Sequence, residues 1–114
     1  MRPGDIVLLR LPQPDLSPGK ARPVLVLLEL PGPFGDYLVC GISSQLHQQI
    51  PDWDERLMPA EPDFITSGLK VASVIRLNWL AAVNSDASAG WLGSVAKERL
   101  VRLRQRLAAR LGSP

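Results

Sequence analysis

Guanidinium and hydroxyl groups stand at the ends of apolar runs in this chain. Arg22 directly precedes Pro23 and the apolar residues 24–28, while Ser43 and Arg76 lie at the ends of later apolar runs. Arginine keeps its proton in a protein, and its five N–H donors match the oxygens of a phosphate group. Two guanidinium groups and a hydroxyl that converge could therefore bind a phosphodiester and stabilise the additional negative charge of a phosphorane.

RNA is the natural substrate for such a sparse site, because its 2′-hydroxyl group supplies the nucleophile. The protein then has to orient the chain, stabilise charge and transfer protons. Taken alone, Arg22 has the simpler interpretation of a surface cation before a strand, and Ser43 that of a turn residue. The rest of the chain has to decide between these interpretations.

Other kinds of chemistry find little support in the residue types. The chain has one cysteine, Cys40, and one histidine, His47, which excludes an internal disulfide and a two-histidine metal motif. It has no glycine-rich loop with nucleotide-binding spacing and no Gly-x-Ser-x-Gly elbow. We therefore expect no metal and no cofactor. His47 could be a general base by type, although a lone loop histidine is more often solvated.

Charge is distributed unevenly along the 114 residues. From Ser94 onward there are six basic residues and one acidic residue, which leaves seven basic and ten acidic residues before Ser94, a net charge of −3. The residues before Ser94, the body of the protein, therefore do not attract a polyanion by their net charge, and any anion site there has to be local. The basic face of the final segment is most simply a solvated helix face.

The elements that would position these groups are short and separated by turns. Eleven prolines and nine glycines favour a small barrel over a helical bundle, in a single domain over residues 1–114. Residues 12–21 have the composition of a loop. Apolar runs predict strands over residues 4–11, 22–30, 37–43, 71–77 and 79–83, with a further short strand near 56–58 and a break at Asn78.

The last part of the chain has the pattern of a helix over residues 94–111. Its apolar residues recur every three or four positions, Ser94 can cap its start and Gly112 can end it. The barrel is then expected over about residues 4–85. The N-terminus lacks a signal-peptide core and no apolar run approaches the roughly 20 residues of a membrane span, so we expect a cytoplasmic protein.

An ordered set of motifs resembles the PemK/MazF toxins over nearly the whole chain. The motifs are Gly4-Asp5-Ile6-Val7, Gly19-Lys20-x-Arg22-Pro23-Val24-Leu25-Val26, Ile42-Ser43-Ser44-Gln45, Ser67-Gly68-Leu69-Lys70, Ser73-Val74-Ile75-Arg76, and Gly93 before a leucine-rich helix. No single motif is diagnostic, but their order and spacing are specific.

The resemblance implies an SH3-like β-barrel of the CcdB/PemK type with a C-terminal α-helix. It further implies a homodimer that acts as the toxin of a type II toxin–antitoxin pair and is inhibited by a cognate antitoxin. Members of the family cleave single-stranded RNA without metal, by attack of the 2′-hydroxyl, and leave a 2′,3′-cyclic phosphate. The chain is thus expected to be an endoribonuclease.

The resemblance also implies roles for individual residues. The catalytic arginine of the family corresponds to Arg22 and its hydroxyl residue to Ser43. An Arg-x-Asp motif reads Arg76-Leu77-Asn78 here, so that the arginine is kept and the carboxylate is replaced by an amide, which cannot act as a base near neutral pH. We expect Arg22, Ser43 and Arg76 to be catalytic, and the following residues to bind RNA: Lys20, Ser44, Gln45, Lys70 and Asn78.

Two further features remain open at the level of sequence. Among the tryptophans, which could stack on bases, Trp79 is expected in the core and Trp53 is the better exposed candidate. The same barrel also serves in CcdB-type poisons, which bind gyrase and cleave nothing, so a non-catalytic binding module is the alternative function. Such a poison would depend on the end of the terminal helix, whereas an RNase would depend on Arg22 and Ser43.

Overall fold

A computed structural model describes residues 1–12 and 18–114. Within these residues the chain forms six strands, two α-helices and two short 3₁₀ turns. The strands are β1 (Asp5–Pro12), β2 (Pro18–Glu29), β3 (Asp36–Ser43), β4 (Glu55–Leu57), β5 (Ser73–Asn84) and β6 (Ser88–Ser94). The helices are α1 (Phe64–Ser67) and α2 (Lys97–Leu111), and the 3₁₀ turns are Leu46–Gln48 and Ser85–Ala87.

The described strands form one antiparallel sheet in the order β4-β5-β3-β2-β1-β6. The sheet curls into a half-barrel, and α2 follows it at the end of the chain. The predicted fold class, a small β-barrel with a C-terminal helix, is confirmed in this form. No helix within the described residues is long and apolar enough to cross a membrane.

Alternation along the central strands places apolar side chains on both faces of the sheet. One face packs against α2 in a cluster that includes Ile6, Leu25, Leu27, Cys40, Ile75, Leu77, Leu100, Leu103 and Leu107. The opposite face carries a smaller cluster of Val7, Leu9, Val24, Val26 and Val39. Because residues 24–27 alternate strictly between the two clusters, β2 reads as a continuous apolar run in the sequence.

Several predicted element boundaries are wrong. The loop expected over residues 12–21 is strand at both ends, since Pro12 ends β1 and Pro18 begins β2, while residues 13–17 lie outside the described part. The two strands expected on either side of Asn78 are the single strand β5. Its register shifts between the partners Cys40 and Gly41 of β3, which marks a bulge.

The end of the sheet and the start of the helix are also displaced from their predicted positions. Ser94 belongs to β6, which extends the sheet beyond the expected limit near residue 85, and α2 begins at Lys97. The sequence of β6 has a low strand propensity because it is rich in glycine and serine. Its antiparallel pairing with β1 stabilises the strand instead. A side chain at Gly93 would overlap the carbonyl oxygen of Thr66, so the close contact of α1 with β6 requires a glycine there.

Arg99 on α2 is buried, against the expectation of a solvated basic face. Its guanidinium donates to the carboxylates of Glu55, Glu61 and Asp63 and so joins α2 to the segment around β4. Glu55 also accepts hydrogen bonds from the partly exposed Arg102. Desolvation of these buried charges offsets much of their attraction, so the ion pairs are weak evidence of net stabilisation.

Candidate functional site

A groove of about 730 Å³ opens on the face of the sheet opposite α2. Its apolar floor includes Leu9, Val24 and Gly41. Among the residues singled out in the sequence, the groove brings together Lys20, Arg22, Ser43, Ser44, Gln45, Lys70 and Arg76. Residues from four separate segments therefore meet in one concave site of the size that takes a small ligand or part of a polymer.

The registers of β2 and β3 explain why Arg22 and Ser43 meet. Val24 pairs with Gly41 across the two antiparallel strands. Arg22 lies two residues before Val24 and Ser43 lies two residues after Gly41, so both side chains are on the same face of the sheet as this pair. The exposed Arg22 thus lies within β2 and lines the same groove as Ser43.

The pairing of β3 with β5 brings Arg76 to the same place. Arg76 lies opposite Gly41, and Ser43 lies opposite Val74. Ser43 and Arg76 are consequently diagonal neighbours, a relation that places Cα atoms about 7–8 Å apart. Ser43 and Arg76 therefore line the same groove as Arg22.

The β5 bulge follows directly after Arg76 and is held by the loop before β4. The buried carboxylate of Asp54 accepts the backbone N–H of Leu77 at 3.0 Å and that of Ile50 at 2.8 Å. The indole N–H of Trp53 donates to the Oδ1 of Asn78 at 2.8 Å. These side-chain hydrogen bonds replace strand pairing where the register shifts, so the bulge has a defined shape.

The bulge also turns Trp79 into the groove. Residues three apart in a regular strand point to opposite faces, yet Arg76 and Trp79 both line this groove. The indole lies against Gly41, where a Cβ atom would come within 3.1 Å of three Trp79 atoms. The expectation that Trp79 is a core residue is wrong, because 36% of its surface is exposed. Trp53, the expected exposed candidate, is partly buried against the main core.

The groove is a local concentration of positive charge. Its described lining residues include the cations Lys20, Arg22, Lys70 and Arg76 and contain no aspartate or glutamate. Among the described residues, the Nε of Arg76 is buried without a hydrogen-bond partner. An unpaired buried donor is costly, and Arg76 nevertheless lines the groove.

The hydroxyl of Ser43 has a structural contact as well. Its Oγ accepts the backbone N–H of Gln45 at 3.0 Å, which stabilises the turn after β3. The hydroxyl proton can still be donated to a ligand. Ser43 is therefore both a turn residue and a possible ligand contact, so the two interpretations drawn from the sequence are compatible.

Some candidates lie outside the groove. The exposed Asn78 is not one of its lining residues, and its Oδ1 is engaged with Trp53. The exposed side chain of His47 does not line it either, whereas Gln48, which the sequence did not single out, does. Burial, and then the charge of Asp54, raises the pKa of Cys40 to about 12, so this thiol is not a nucleophile near neutral pH.

A protein-family model and several solved structures match this chain. The family model described as PemK-like, MazF-like toxin of type II toxin-antitoxin system matches residues 2–111. MazE–MazF of Deinococcus radiodurans is 22% identical with a TM-score of 0.72, and an endoribonuclease in complex with its cognate antitoxin from a mycobacterial species is 14% identical with a TM-score of 0.68. Each match covers 100% of this chain and 97% of the other. No curated protein matches the chain. At these identities, the structural matches establish a shared fold.

Proposed function

The chain belongs to the PemK-like, MazF-like toxin family of type II toxin–antitoxin systems, and from this premise we propose that it is an endoribonuclease that cleaves single-stranded RNA in the groove. The observation that carries the proposal is the convergence of four cations and a serine hydroxyl, without a carboxylate among the described lining residues, on a protein body whose net charge is negative. Such a site attracts an anion through the cations that line it, and not through the net charge of the protein body.

The proposed reaction uses the nucleophile that RNA carries. The 2′-oxygen attacks the adjacent phosphorus as its proton leaves, a P–O bond to the 2′-oxygen forms, and the bond to the 5′-oxygen of the next nucleotide breaks. The products are a 2′,3′-cyclic phosphate and a 5′-hydroxyl group that takes up a proton. The reaction is transesterification, so neither a metal nor a redox partner is needed for its balance.

The residues have separate parts in this proposal. Arg22 and Arg76 bind the non-bridging oxygens and stabilise the charge that develops on them, which is the contribution that preorganised donors make best. Ser43 donates its hydroxyl proton to the same phosphate. Lys20 and Lys70 attract the neighbouring phosphates of the strand, while Ser44 and Gln45 contact the nucleotides.

The partners of the family extend the proposal to assembly. The protein acts as a homodimer, and a cognate antitoxin inhibits it by occupying the cationic groove with an acidic segment, so that RNA and antitoxin compete. This complementarity follows from the four cations of the groove. The compartment of action is the cytoplasm, where its RNA substrate is found.

Substitution of Arg22 tests the proposal. We expect the wild-type protein to cleave a single-stranded RNA oligonucleotide in the presence of EDTA, and Arg22→Ala to lower the single-turnover rate by about 10²- to 10³-fold, the usual cost of removing one transition-state donor. Arg110→Ala removes an equally exposed guanidinium from the end of α2. It is the matched control and should cleave like the wild type.

The result separates the two candidate functions. Intact RNA with the wild-type protein, or equal rates for wild type and Arg22→Ala, would contradict the proposed RNase. Growth arrest that survives Arg22→Ala but is lost when the end of α2 is deleted would instead support a non-catalytic poison.

A further inference from the structure

Trp79 is the residue of the groove that phosphate chemistry leaves unexplained. It carries no charge that a phosphate could pair with, yet the β5 bulge brings a large aromatic side chain to the same surface as Arg76. With 36% of its surface exposed, this tryptophan offers part of an aromatic ring to whatever occupies the groove. Its position therefore requires an explanation of its own.

The backbone around Trp79 fixes the indole in place. On one side it contacts Gly41 of β3, which has no side chain to push it away. The Trp53–Asn78 hydrogen bond and the Asp54 carboxylate hold the two residues that precede Trp79 in the bulge. A ring positioned by rigid strands loses little conformational entropy when a ligand packs on it.

We propose that Trp79 is a base-stacking platform, on which the base of a nucleotide beside the scissile phosphate packs while Arg22 and Arg76 hold that phosphate. The ligand class is a nucleobase of single-stranded RNA, so the inference rests on the proposed function and adds a subsite to it. Every base has a π-face, and stacking on an aromatic side chain is a main way in which proteins bind unpaired bases. Because the platform is next to the phosphate site, it fixes the register of the strand in the groove, whichever base stacks on it.

The test compares Trp79→Phe with Trp79→Leu, two variants of reduced and similar volume that differ in whether a π-face remains. Binding is measured with an oligonucleotide whose 2′-hydroxyl groups are replaced by hydrogen, so that it cannot be cleaved. We expect Trp79→Leu to weaken binding by roughly 5- to 150-fold, the fold-change that corresponds to about 1–3 kcal/mol of stacking per base. Trp79→Phe should recover most of this loss.

A second series removes bases from the ligand. Single abasic sites are placed at each position around the scissile phosphate. At one position the abasic site should weaken binding to the wild type as much as Trp79→Leu does, and the two changes together should cost no more than either one alone. Trp91→Leu is the control, because the exposed Trp91 does not line the groove, and it should bind every oligonucleotide like the wild type.

The possible outcomes distinguish the inference from the function on which it rests. Cleavage by the wild type combined with equal binding by Trp79→Leu and Trp79→Phe would overturn the platform and leave the RNase intact. Additive effects of the abasic sites and Trp79→Leu would also overturn it. A wild type that neither cuts RNA nor binds the uncleavable oligonucleotide would overturn the proposed function itself.

Discussion

The amide of Asn78 shows how a single residue can support a site without entering it. Its Oδ1 accepts the indole N–H of Trp53, and this contact ties the loop before β4 to the bulge between Arg76 and Trp79. A carboxylate at this position would keep the acceptor and add a negative charge beside a cationic groove. The amide supplies the hydrogen bond without weakening the attraction for phosphate.

This role predicts different effects for two substitutions of Asn78. Asn78→Ala removes the acceptor and should lower the free energy of unfolding by about 0.5–1.5 kcal/mol, the net worth of a hydrogen bond. Asn78→Asp keeps an Oδ1 and should remain within about 0.5 kcal/mol of the wild type. Urea denaturation measures both. Equal losses for the two variants would show that the Trp53 contact does not hold the bulge.

At the scale of elements, β5 is the strand that decides the geometry of the groove. It runs from Ser73 to Asn84, pairs with both β3 and β4, and changes register within its length. Asp54 accepts the backbone N–H of Leu77 in this strand through one oxygen and that of Ile50, in its own loop, through the other. The bulge therefore depends on one buried carboxylate that belongs to a different segment.

Asp54→Asn tests this dependence. The amide has one oxygen, so one of the two N–H donors would face an NH₂ group, and an unsatisfied buried donor costs about 1–3 kcal/mol. We expect this loss in urea denaturation together with a slower RNA cleavage, because Arg76 and Trp79 would move. The exposed Asp52→Asn is the matched control, since asparagine tolerates its positive φ of 63°. Wild-type stability in Asp54→Asn would contradict the assigned role.

At the scale of the molecule, the ion pairs of Arg99 join α2 to the middle of the chain around β4 and α1. Asp63 accepts the Nε of Arg99 at 2.8 Å and the backbone N–H of Ala96 at 3.0 Å, just before α2 begins. Burial by itself would raise the pKa of the Asp63 carboxyl, but these hydrogen bonds and the charge of Arg99 hold it below the ordinary value of 3.8. The position of the helix is thereby coupled to the protonation of this group.

The coupling predicts a loss of stability in acid. As the pH falls below about 4, the unfolded chain takes up the Asp63 proton first, so folding becomes less favourable until the folded carboxyl is protonated too. The contribution of one carboxyl is at most about 1.4 kcal/mol per pH unit. We expect Asp63→Asn to flatten the dependence of the unfolding free energy on pH below about pH 4. The exposed Asp86→Asn should keep the wild-type slope, and an unchanged slope in Asp63→Asn would contradict the coupling.

The sequence by itself determined the features that depend on neighbouring residues. Apolar runs bounded by proline and glycine marked β1, β2 and β3, the leucine spacing marked α2, and the ordered motifs marked the family and the candidates Arg22, Ser43 and Arg76. Only the tertiary structure decided the features that depend on contacts between distant segments. In the bulge after Arg76, Leu77 is held by Asp54, 23 residues before it in the chain. The carboxylates that pair with the buried Arg99 lie at least 36 residues before it. Trp79 reads as a core residue in an apolar run, and it faces the groove because those distant hydrogen bonds change the register of β5. The sequence pattern around a residue does not identify hydrogen-bonding partners that are distant in the chain. The free energy that selects the conformation is gained only when the two segments come into contact.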